Sequence, residues 1–123
     1  MSRNVRVVTL NALVLVLDPE TGVLPTDLDA GPVTVGPSSL VVGTLNPVDG
    51  EVSLNLGMAS EFPEDERLEL RWQGMLETSG RLGIINVYNE VLLDMPVAGT
   101  VEVSIWTNHI LEPDVVWVAV HES

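Results

Sequence analysis

The chain has 123 residues, enough for one domain that buries roughly two thirds of the surface its unfolded form exposes. It carries 18 acidic side chains against five arginines and no lysine, a formal net charge of −13, and such a field repels nucleic-acid phosphates and anionic lipid. With no cysteine the chain can build neither a disulfide framework nor a thiolate metal site or nucleophile, which fits a cytoplasmic home.

The same charge favours a basic protein or a cation as partner, or else belongs to an acidic proteome in which it only maintains solubility. Although 46% of the residues are hydrophobic, the aromatic ones are limited to Phe62, Trp72, Tyr88, Trp106 and Trp117, so the core must be mainly Val and Leu.

Taken in chain order, the first element is Val5–Leu17. Its second half follows Arg3 and Arg6 and superficially resembles a signal peptide, but no small-residue cleavage site follows and Asp18-Pro19 ends it, so it reads as a long buried strand. No run reaches the roughly 18 to 20 apolar residues that a spanning helix needs, and a soluble chain with no membrane partner is expected.

Further strands are predicted at Val33–Val35, Leu40–Leu45, Glu51–Met58, Arg67–Leu76, Arg81–Val91, Thr100–Thr107 and Val115–His121. Between them lie turn segments such as Asp18-Pro-Glu-Thr-Gly22, Asn46-Pro-Val-Asp-Gly50, Glu77-Thr-Ser-Gly80 and Pro96-Val-Ala-Gly99, rich in Gly, Pro, Asn and Asp. This rhythm predicts an all-β fold: an antiparallel two-layer β-sandwich of about eight strands, one domain over residues 1–123.

Alternation assigns the faces. Leu68, Leu70 and Trp72 share one side of their strand against Glu69, Arg71 and Gln73, and Val52, Leu54 and Leu56 oppose Ser53 and Asn55. The predicted core is aliphatic and includes Leu54, Leu68, Leu70, Trp72, Ile84, Val103, Ile105 and Trp117. Val5–Leu17 and Val115–Val120 are apolar on both faces, so each is either central or covered, and a second subunit as the cover would make a homodimer.

The inventory for catalysis is thin. His109 and His121 would each need a carboxylate orienter, for which Glu112 or Asp114 could serve His109, and no nucleophile elbow, phosphate loop or zinc-binding histidine helix is present. Asp27, Asp29 and the Glu64-Asp65-Glu66 run lack the spaced oxygen ladder and glycine of a calcium loop. The chain is therefore expected not to be an enzyme and to hold no cofactor or metal.

Val16-Leu17-Asp18-Pro19 closing the first strand, Gly36-Pro37-Ser38-Ser39-Leu40-Val41-Val42-Gly43-Thr44-Leu45, the Asp49-Gly50 turn and the late Ala98-Gly99-Thr100-Val101-Glu102-Val103 together give a layout that resembles the competence protein J family. That family consists of small β-rich inhibitors of nucleases of DNA uptake. The resemblance implies an acidic sandwich that occupies the basic cleft of a nuclease by charge complementarity.

Under that implication the partner-binding residues are Glu61, Glu64, Asp65 and Glu66, with Phe62 as an apolar anchor. The alternative for the same stretch is the wet end of a hairpin, with Pro63 blocking strand extension and Phe62 tucked into the core. Three function classes follow: an acidic inhibitor or immunity-like protein, a structural β-domain that forms a homo-oligomer or part of a larger assembly, and a small-ligand or cation binder.

Overall fold

The structure, a computed structural model, describes residues 2–25 and 31–121. The predicted candidates Asp27 and Asp29 lie outside the described residues. Among the described residues ten strands form: β1 Arg3–Val7, β2 Leu13–Leu17, β3 Val33–Val35, β4 Ser39–Gly43, β5 Val52–Met58, β6 Glu69–Glu77, β7 Arg81–Ile85, β8 Val91–Pro96, β9 Thr100–Thr107 and β10 Val115–His121. They make two five-stranded sheets, ordered β1-β5-β10-β9-β6 and β3-β4-β2-β7-β8, and these pack as the two layers of a sandwich. Among the described residues no helix is long and apolar enough to cross a membrane.

The core lies between the sheets, where alternation sends one side chain in two. Val14, Val16, Leu40 and Val42 from one layer meet Leu54, Leu56, Val103, Ile105, Val116 and Val118 from the other, all at 0% exposure. Close packing of branched aliphatic chains therefore carries most of the hydrophobic stabilisation, as a composition poor in aromatics requires.

The all-β two-layer expectation is borne out, with four corrections. The predicted Val5–Leu17 strand is two strands in different sheets. Between them the chain turns through Leu10–Ala12, where Asn11 and Ala12 hold left-handed φ values of 56° and 55°, and Thr9 Oγ1 lies 2.7 Å from Thr44 Oγ1 across the corner. A run of apolar residues carries no mark of this corner, because both halves bury their valines inward.

The predicted Arg81–Val91 strand likewise ends at Ile85. Asn86 folds the next residues into a tight turn, its Oδ1 accepting the Tyr88 and Glu90 amides at 3.0 and 3.1 Å, and β8 returns beside β7. The split of the first strand, together with β8, of which the predicted bounds reach only Val91, raises the count from about eight strands to ten. The third correction concerns direction: all pairs are antiparallel except β5 and β10, which run parallel with Leu54 opposite Val116.

The fourth correction is a β-bulge in β6. Leu70 pairs with Trp106 and Trp72 with Ile105, so Arg71 is an extra residue that exchanges the two faces. Trp72 turns into the core and lies over Gly74, where a Cβ would meet the indole at 2.7 Å. Leu70 turns outward and is 44% exposed, so it is not the core residue that the alternation predicts. Arg71 is tied down by its Nε, which donates to Thr107 Oγ1 at 2.8 Å, and by an ion pair with Glu69.

Candidate partner-binding strap

A strand bonded in parallel to a neighbour cannot be reached by a short turn, and the chain after β5 shows the same need for a long return. From Met58 it crosses the outer face of its sheet and enters β6 beside Thr107, passing over β10 and β9. Residues 59–68, which contain the acidic stretch, are this crossing strap. They are not a hairpin tip.

The strap is held by its apolar members. The outer face of β10 carries Trp117 and Ala119, and these form a second buried cluster with Leu68, against which Ala59, Phe62, Trp106 and Val115 pack. The Phe62 ring lies 4.6 Å from that of Trp106 at a tilt of 38° and 5.3 Å from that of Trp117 nearly edge-on. Such geometries suit the ring quadrupoles and add to the burial itself. Cover for the second apolar face of β10 thus comes from the same chain.

The acids of the strap divide into two kinds. Glu61 turns back on its own 3-10 turn, and the Met58 amide, donating at 3.0 Å, draws its carboxyl below the usual value. Asp65 takes a bidentate grip on Arg67, at 3.1 and 2.8 Å, and also accepts the Arg67 amide at 2.9 Å. The Arg67 side chain first, and its amide second, lower the Asp65 pKa to about 2. Glu64 and Glu66, on either side of Asp65, are exposed, and neither enters an ion pair among the described residues.

The five predicted partner-binding residues therefore sit on one strap, with Glu61, Phe62 and Asp65 holding it and Glu64 and Glu66 projecting from it. Three of the five arginines, Arg67, Arg71 and Arg81, are engaged by carboxylates.

The histidines fall elsewhere. His109 Nδ1 accepts the Leu111 and Glu112 amides at 3.1 and 2.9 Å, which makes it a brace for its own loop, while Asp114 is bonded to Asn108. Neither Glu112 nor Asp114 orients it. His121 Nε2 lies 2.9 Å from Ser104 Oγ, a pairing that sequence reasoning missed because it spans two strands. Ser104 also accepts the Trp106 indole N–H at 3.0 Å and is 0% exposed, so no substrate carbonyl can approach its oxygen. Among the described residues no group of three or more His, Cys, Asp or Glu gathers to hold a metal ion.

No family model matches the sequence. No curated protein matches it. Among solved structures the chain is similar to ComJ from Bacillus subtilis, an inhibitor of the DNA degrading activity of NucA, with a TM-score of 0.68 over 98% of this chain and 96% of that one. Sequence identity is 8%, so the likeness is one of fold, and at that level the resemblance read from the sequence is borne out.

Proposed function

We propose that the chain is a non-catalytic, inhibitor-type protein that occupies a basic surface on a protein partner, and that the partner is a DNA-degrading nuclease. The observation that carries this reading is the strap: Phe62 packs it onto the sheet while Glu61 and Asp65 brace its own turns, so Glu64 and Glu66 project from a backbone that is already ordered. A preordered acidic projection loses little entropy on binding and matches the basic groove with which a nuclease holds phosphates. The shared fold with an inhibitor of a DNA-degrading activity supports the choice of partner class.

The net charge of −13 adds long-range attraction, so association should be fast at low salt and slower at high salt. The test is DNA cleavage by a DNA-degrading nuclease of the same source organism, titrated with the chain at two ionic strengths. Stoichiometric inhibition that salt weakens is the expected result. Undiminished cleavage at low salt overturns the proposal.

A further inference from the structure

At the end of the sandwich where the strap leaves Met58 lies a cleft of about 590 Å³, well within the range of roughly 300 to 1,000 Å³ typical of small-molecule sites. His121, the last described residue of β10, pairs with Glu102 of β9, and beyond that pair β9 continues to Thr100 against Glu77 of β6. Met58, Met75, Val97 and Val120 supply apolar walls around this step, and Thr100, Glu102 and His121 supply its polar groups.

We infer that this cleft is a binding site for a small organic cation, a primary ammonium on an apolar body. The walls are apolar, and the two methionines are unbranched and polarisable, so they can adapt to such a body. The charge that meets a ligand there is a carboxylate. Glu102 is half-buried, and Gln73 Nε2 donates to its Oε2 at 3.2 Å, which leaves most of the carboxylate's acceptor capacity for a ligand ammonium.

His121, opposite Glu102 on the neighbouring strand, is held in place by Ser104. Trp106 can only donate to Ser104 Oγ, at 3.0 Å, so the hydroxyl proton of Ser104 is available to His121 Nε2 at 2.9 Å. The molecule's net charge of −13 concentrates cations around it and disfavours an anionic ligand in the same cleft.

The probe is hexylammonium chloride, titrated into the full chain and followed by the methyl signals of Met58 and Met75, with hexanol as the neutral isostere. Saturable shifts at both methyl groups are expected. Glu102→Gln should weaken binding about tenfold, equivalent to about 1.4 kcal/mol, and hexanol should bind the parent more weakly than the ammonium does. Ala98→Trp, at an exposed lining residue of the turn before β9, should fill the cleft and abolish the shifts while sparing the core. Shifts that fail to saturate, or that persist in Ala98→Trp, overturn the site. Equal binding of hexanol and hexylammonium, unaffected by Glu102→Gln, overturns the cationic ligand. Reversal of Glu64 and Glu66 should leave these shifts unchanged, which separates this site from the strap.

Discussion

Phe62 lies with its ring centroid 4.6 Å from that of Trp106, and through this contact a segment rich in acids is fixed to an apolar sheet face. Phe62→Ala should destabilise the fold by about 2 to 3 kcal/mol, the sum of a half-buried ring and its two aromatic contacts. Tryptophan emission should shift to the red as Trp106 and Trp117 lose their cover. Phe62→Leu should retain most of the stability but not the edge-on geometry. An unchanged denaturant midpoint in Phe62→Ala would show that the strap is held by something other than the ring.

The bulge at Arg71 makes a sharper test, because it reverses an expectation. Were Leu70 in the core, truncation would cost about 2 to 5 kcal/mol. With the side chain 44% exposed and facing outward, Leu70→Ala should cost less than about 1 kcal/mol, whereas Leu54→Ala, at 0% exposure, should fall in the higher range. Urea denaturation of both variants distinguishes the two faces, and equal losses would mean that the bulge is absent.

Leu70 and Phe62 also show what the sequence could reveal. The layers were legible because Val52, Leu54 and Leu56 obey a period of two, and most strands fell within two residues of their predicted bounds. The bulge was not legible, since Leu68, Leu70 and Trp72 alternate in the sequence whether or not Arg71 slips. The corner at Asn11 and Ala12 was hidden for a related reason: left-handed φ at an alanine has no compositional mark. The strap was half legible. Apolar residues on both faces of Val115–Val120 announced that a cover was needed, but only pairing of β5 with β10 shows that the acidic stretch supplies it.

A second polar clasp sets the acid response. Asp18, at 0% exposure after β2, accepts the Ser79 amide and hydroxyl at 2.7 and 2.6 Å and the Glu20 amide at 2.8 Å. Burial alone would raise its carboxyl, but the hydrogen bonds from Ser79, Glu20 and Thr21 outweigh burial and hold it far below the usual carboxylate range. Because the folded value is depressed, this stabilisation is complete above the unfolded value of about 3.9 and is lost as pH falls below it. Asp18→Asn presents a donor to donors and should cost about 2 to 3 kcal/mol at neutral pH. The gap between parent and variant, followed by thermal midpoints from pH about 6 to about 2, should narrow toward acid. A constant gap would mean that the charge of Asp18 contributes nothing.

Glu64 and Glu66 provide the decisive test of the strap as a binding surface. Reversing both to lysine leaves Phe62, Glu61 and the Asp65–Arg67 pair in place, so stability should change by no more than about 0.5 kcal/mol. The charges lie on an exposed projection, where electrostatics governs encounter more than residence, so the loss should appear chiefly in the association rate with a nuclease. Stopped-flow association at two salt concentrations should show the parent fast and salt-sensitive and the double variant slower and less salt-sensitive. Asp65 is left untouched for a reason: its carboxylate is already spent on Arg67, and replacing it would confuse loss of the strap with loss of the surface. If the double variant folds as the parent does and inhibits equally well at low salt, the acids of the strap serve only as a solvated cover for the aromatic cluster, and the inhibitory surface must be sought on another face of the sandwich.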